Sequence, residues 1–225
     1  DVLDLGVPSD ATVTTAKLGD SSVTTAKLND SAVTTAKLND ASVSLAKLTA
    51  TGTKDATTFL RGDNTFAAAG GGITVADQWR VSADSNQGVN GFVTSNWERV
   101  DNTGWGGVGT GLTESSGVFS FPSTGIYKID YTASFEIEAN DTACNLEMYI
   151  TTDNSSYNEV AVARAGNRGS DVVNGTGSMS FLFDVTSTST HKFKFRTGSM
   201  GATTFLRGHT SASHTVVSVT RLGDT

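Results

Sequence analysis

Apolar and polar residues alternate without a break from Tyr127 to Ile137. Tyr127, Ile129, Tyr131, Ala133, Phe135 and Ile137 share one side, and Lys128, Asp130, Thr132, Ser134 and Glu136 the other. A two-residue period puts successive side chains on opposite faces of an extended chain, so this stretch predicts a β-strand with one wet face. Phe119 and Phe121 keep the same spacing upstream, and Pro122–Gly125 separates the runs with residues that favour a turn. Two strands joined by a tight connection follow. Burying a large aliphatic or aromatic side chain contributes about 1.5–3 kcal/mol, so this face is worth on the order of 10 kcal/mol before chain entropy opposes it. The rest of the chain has to cover it.

From Ile73 to Thr225 further strand-like segments recur, with Gly, Asn and Ser between them. Trp79 and Val81 mark a first strand, and Phe92 to Val100 a second with Trp97 as its aromatic anchor. After Ile137 come Cys144–Thr151, Glu159–Arg164, Met179–Val185 and His191–Arg196, then two strands near Thr204–Leu206 and Thr215–Leu222. Asp101–Leu112 is too rich in glycine for a strand interior. Helical periodicity is missing, so a two-sheet sandwich or jelly roll is the expected way to share one core.

The first fifty residues follow a different pattern, a decapeptide repeat: ATVTTAKLGD, SSVTTAKLND, SAVTTAKLND and the drifting ASVSLAKLTA. Val13, Val23, Val33 and Val43 alternate with Leu18, Leu28, Leu38 and Leu48, one large aliphatic every five positions. In an α-helix that step rotates about 140°, so no stripe forms, and in a strand it puts Val and Leu on opposite faces. Each unit is therefore expected to be a short extended piece at Val, then about one helical turn through Thr-Ala-Lys-Leu. Gly19, Asn29 or Asn39 would end the turn in the left-handed conformation, and the following Asp would cap the next unit. Two large aliphatics per ten residues cannot close a core within one chain. The repeats need partners, which predicts several copies packed about a shared axis with these Val and Leu residues as the oligomer core. A flexible linker is the bland alternative, but it has no reason to keep Val and Leu in register.

Residues 51–72 break the repeat, add Phe59 and Phe66, and end in an Ala/Gly run, as a collar or hinge would. The predicted domains are thus 1–50, 51–72 and 73–225. The collar holds Arg61-Gly62-Asp63, an adhesion tripeptide in some animal proteins but frequent by chance, and TTFLRG, which recurs at Thr203–Gly208.

Composition narrows the functional classes. The formal charge of −7 is spread without blocks, and no Lys/Arg cluster points to nucleic acid. No apolar run is long enough to span a membrane. Cys144, the single cysteine, can form no internal disulfide, and its place beside Leu146, Met148 and Ile150 reads as core. The chain opens on Asp1 with no signal-like run, which reads as a mature, trimmed or partial chain.

The residues carry two resemblances. Phe119–Tyr127 (FSFPSTGIY), the β-rich span after it and the final HTVVSVTRL strand resemble the jelly-roll head of the complement-first-component and tumour-necrosis-factor superfamily. That resemblance implies a homotrimer, with Tyr127 added to the oligomer-core candidates, and some such heads bind calcium. The repeats and Thr58–Asp63 are similar to phage tail-fibre and other virion-appendage proteins, in which such segments lead into a receptor-binding tip.

Candidate chemistry is sparse. His191, His209 and His214 are the obvious bases, yet no spacing sets one beside a nucleophile or builds a metal pair. Asp141, Asp153 and Asp171 are loop carboxylates that could join carbonyls around calcium, without EF-hand spacing. The glycine runs at Gly70–Gly72 and Gly104–Gly111 follow no strand-to-helix pattern, so no phosphate cradle is expected. Trp105, set in its glycine loop, could stack on a sugar ring or plug the end of the sandwich. The expectation is an all-β, homotrimeric, non-enzymatic fibre or spike of a phage virion without a cofactor: a repeat-built shaft, a jelly-roll head against a host cell-surface glycan or protein, and other virion proteins at the N-terminus. A bacterial surface or secreted adhesion or filament protein of the same build is the alternative.

Overall fold

The computed structural model describes residues 14–38, 42–44, 47–68 and 72–225. It divides the chain into two compact units, Asp1–Gly70 and Gly71–Thr225.

In the first unit the described repeats share one conformation. Thr15–Lys17, Thr25–Lys27 and Thr35–Lys37 each form a 3₁₀ turn, and Leu28 (φ −104°, ψ 110°) and Leu38 (φ −103°, ψ 109°) return to extended backbone. A reverse turn follows, closed by Ser22 N–H to Gly19 O (3.0 Å) and Ala32 N–H to Asn29 O (2.9 Å). The left-handed residues are Ser21 (φ 62°) and Ser31 (φ 63°), not the expected Gly19 and Asn29. Gly19 and Asn29 open the turn, and a type II geometry demands positive φ two residues later. The expected Asp caps are also replaced: Thr24 and Thr34 occupy the cap positions and make no side-chain capping bond. Lysine ties each unit instead, with Lys27 Nζ donating to Ser22 O (2.8 Å) and Lys37 Nζ to Ala32 O (2.6 Å). Within the expected collar, residues 51–72, the described residues 51–68 contain a β-hairpin of β1 (Thr58–Leu60) and β2 (Phe66–Ala68).

The second unit is a two-sheet jelly-roll sandwich. Its strands are β3 (Ala76–Val81), β4 (Ala83–Ser85), β5 (Trp97–Arg99), β6 (Thr113–Ser115), β7 (Val118–Ser120), β8 (Gly125–Ile137), β9 (Cys144–Thr151), β10 (Asn158–Ala165), β11 (Val173–Val185), β12 (Lys192–Gly198), β13 (Phe205–His209) and β14 (Val216–Gly223). One sheet runs β10-β9-β12-β7-β6. In the other, β8 is central: β11 lies along one edge for its whole length, from Val173↔Ile137 to Val185↔Gly125. The opposite edge is shared end to end by β14, which pairs on to β3 and β5, and by β13, which pairs with β4.

The predicted central strand is thus the spine of the sandwich. Its alternating apolar residues are wholly buried. The Pro122–Gly125 turn carries the chain from β7 in one sheet to β8 in the other, so Phe119 and Tyr127 enter the core from opposite sides. Aromatic rings fill the space between: Phe119 stacks on Phe193 (4.9 Å), Tyr131 on Phe195 (3.7 Å), and Trp97 meets Phe119 edge-on at 5.0 Å. Cys144 is a buried core residue, and burial, with Asp141 nearby, pushes its thiol up to about 11. Only Trp97–Arg99 of the predicted Phe92–Val100 strand is extended in a ladder.

Candidate functional site

The repeat positions read from the sequence are solvent-facing in the single chain. Leu18, Val23, Leu28, Val33, Leu38 and Val43 are between 45% and 54% exposed, Leu48 is half-buried, and Val13 lies outside the described residues. The 3₁₀ turn and the reverse turn each hold only a few backbone bonds and no apolar interior, so nothing inside the repeat covers these side chains. Tyr127 corrects the expectation that set it with them. It is wholly buried, and its phenol donates to Ser123 O at 2.9 Å, which makes it a core residue of its own chain.

Trp105 stands half-buried as a wall between two shallow cavities. One, of about 250 Å³, is floored by Ala76, Gln78, Ser218 and Thr220 on the outer side of β3 and β14; the other, of about 120 Å³, by Asp77, Arg99, Gly109 and Gly111. The loop is held by the buried Asp77 carboxylate, which accepts from Leu112 N–H (2.8 Å) and the Trp79 indole (3.0 Å) and pairs with Arg99 (3.1 Å). The Trp105 ring edge leans on Gly107, where a Cβ would come within 3.2 Å of it.

The candidate bases do not assemble a reactive group. His191 is buried between the Thr186 and Thr190 hydroxyls (3.2 and 3.1 Å), and His209 and His214 stack at 5.6 Å, with His209 Nδ1 accepting from Ser211 N–H. Two of the three calcium candidates are held by donors of the chain itself, and Asp171 is exposed. Asp141 accepts from Gly201 N–H (2.9 Å) and the Thr204 hydroxyl (2.5 Å), and Asp153 from Ser155 and Ser156 N–H, both at 2.8 Å. These two carboxylates sit at opposite ends of the eight-residue β9, about 25 Å apart along the strand, so one ion cannot take both. Among the described residues no three His, Cys, Asp or Glu side chains gather as a metal ion would need. Arg61-Gly62-Asp63 forms the hairpin turn between β1 and β2, where Asp63 accepts from the Thr65 hydroxyl (2.6 Å) and closes the turn.

Two features escaped the sequence reading. A polar cavity of about 440 Å³ on the outer side of the β8 sheet gathers Thr132, Ser134, Asn174, Thr176, Arg207 and His214. On the opposite sheet the Lys194 ammonium sits between the Phe92 and Tyr157 rings. Both draw residues from distant segments, and no local pattern reports that.

No family model matches the sequence, and no curated protein matches it. Solved structures do. Eiger TNF from S. frugiperda superposes with a TM-score of 0.52 at 10% identity, covering 68% of this chain and 96% of that one. Murine APRIL (TM-score 0.48, 12% identity, 66% and 98% covered) and the globular domain of zebrafish complement 1qA (0.44, 14%, 67% and 99%) are also similar. At 10% identity the likeness to Eiger TNF speaks to the fold alone, the jelly roll. Among the described residues no helix is long and apolar enough to cross a membrane.

Proposed function

We propose that the chain is a non-enzymatic structural and receptor-binding subunit of a phage tail fibre or spike, acting as a homotrimer without a cofactor. Three sets of repeats pack as a shaft attached to other virion proteins, and the jelly-roll unit meets the host cell surface. The observation that carries this reading is the exposure of Leu18, Val23, Leu28, Val33, Leu38 and Val43 at a fixed ten-residue register. A solvated linker does not maintain such a register, whereas sister chains that bury it gain roughly 25 cal/mol per Å² of apolar area. Three weakly binding heads on one shaft also gain avidity without any new contact.

Light scattering of the intact chain is expected to give about three times the 23.4 kDa chain mass; a concentration-independent monomer overturns the proposal. Replacing Val23, Leu28, Val33 and Leu38 together with Ser should abolish the thermal transition of the repeats and spare that of the sandwich. Electron microscopy of the source particle separates a virion fibre from a bacterial surface or secreted protein of the same build.

A further inference from the structure

Most cations of the sandwich hold carboxylates: Arg80 with Glu98 and Asp101, Arg99 with Asp77, Lys128 with Asp130, Arg196 with Glu147, Arg207 with Glu136, and Arg221 with Asp224. Within this unit Arg164, Arg168, Lys192 and Lys194 have no ion-pair partner among the described residues. Three of these four project from one surface, the outer face of the five-stranded sheet. Lys192 and Lys194 alternate with the buried Phe193 and Phe195 on β12, and Arg164 is exposed on β10 opposite Asn145 of β9. Glu159, opposite Tyr149 and accepting from its phenol at 3.3 Å, is the unpaired carboxylate on this face, so in a chain of net charge −7 three unpaired cations outnumber one unpaired anion there.

Aromatic rings stand among these charges. Lys194 Nζ lies 3.7 Å from the ring centroids of both Phe92 and Tyr157, and Phe92 meets Tyr149 edge-on at 5.3 Å. Phe92 is 36% exposed and the two tyrosines are half-buried, so each ring still offers surface to solvent. Burial among the rings pulls the Lys194 pKa below the ordinary lysine value. Ring faces suit the apolar CH faces of pyranoses, and free ammonium and guanidinium groups suit carboxylates. A neutral sugar would leave the cations unused, and a simple anion would leave the rings unused.

We infer that the outer face of the five-stranded sheet binds an acidic polysaccharide, with Lys192, Lys194 and Arg164 on its carboxylates and Phe92 and Tyr157 against its sugar rings. This rests on the sandwich being the end that meets a cell surface, and it names the chemistry met there. The test titrates the full-length protein with polygalacturonate oligosaccharides, neutral dextran and polyphosphate, each at low and high salt. Polygalacturonate should bind best and weaken as salt rises. The double variant K192A/R164A should lose about tenfold in affinity, as two exposed charge contacts imply, with an unchanged circular dichroism spectrum and melting profile. Tyr157→Ala should weaken polygalacturonate binding further. Failure of polygalacturonate to bind, equal binding of dextran, tighter binding of polyphosphate, or affinity unmoved in the double variant overturns the inference. Light scattering reads the trimer independently, so a trimer that ignores polygalacturonate defeats this inference alone, whereas a monomer defeats the fibre.

Discussion

The heptapeptide Ala-Thr-Thr-Phe-Leu-Arg-Gly occurs twice, at 56–62 and 202–208, and the chain treats its two copies differently. Both enter strands, β1 and β13. Leu206 in β13 and Thr204 just before it are wholly buried, and Arg207 pairs with Glu136 at 3.3 Å. In β1, Phe59 is 62% and Leu60 48% exposed, and just after it Arg61 reaches Asp63 at 4.0 Å. Extended backbone is thus a local property of these residues, favoured by the paired threonines and the phenylalanine, while burial comes from β8, which β13 pairs with and β1 lacks. The comparison isolates what the sandwich adds to a segment, because the segment itself is held constant.

Matched substitutions break the comparison where it is strongest. Leu206→Ala opens a cavity in the closed core and should cost about 2–5 kcal/mol, a fall in Tm on the order of 10 °C for a unit of this size. Leu60→Ala should leave the melting of the sandwich unchanged. Equal shifts from the two variants would mean that Leu206 is not the core residue its burial indicates. Gly208→Ala and Gly62→Ala make a second pair. A Cβ at Gly208 would lie 2.3 Å from the Ala83 carbonyl oxygen, whereas one at Gly62 meets nothing within 4 Å. Thermal or urea unfolding should show a loss of about 1–3 kcal/mol for the first and a change within about 0.5 kcal/mol for the second.

The same logic explains what could be read from the sequence. Tyr127–Ile137 declares itself because one face is buried and one is wet, so every second residue is under a different constraint. The repeat positions declare themselves by register. Val173–Ser178 does not: with Asn174, Gly175 and Gly177 it resembles a loop, yet it completes β11 along the full edge of β8. A Cβ at Gly175 would come within 2.4 Å of Ile137 Cδ1 and 3.2 Å of the Ala165 methyl, so the missing side chain is a packing requirement and not a sign of irregular backbone. Lys192, Lys194 and Arg196 alternate visibly with two phenylalanines, but nothing local shows that Arg196 has a carboxylate and Lys194 has two rings. Those partners come from residues 92, 147 and 157, joined only by the fold.

The smallest effect expected concerns two turn aspartates, one in each unit. Asp153 accepts from the Ser155 and Ser156 amides and the Thr151 hydroxyl, which hold its pKa far below the ordinary 3.8. Asp63 is lowered as well, chiefly by the Thr65 hydroxyl and with help from its amide and Arg61, against a counteracting desolvation. A carboxylate whose folded pKa is depressed stabilises its turn fully above the unfolded value and loses that contribution as pH falls through the folded one. Protection of the Ser155 and Ser156 amides from hydrogen exchange, corrected for intrinsic rates, should therefore persist at pH values below 3.8 and then decline. Asp153→Asn should weaken that protection at neutral pH. Thr65, served by a less congested carboxylate, should lose its protection at a higher pH than the serines. Simultaneous loss at both turns would show that the extra amide donor at Asp153 adds nothing, and that the two turns differ in sequence but not in strength.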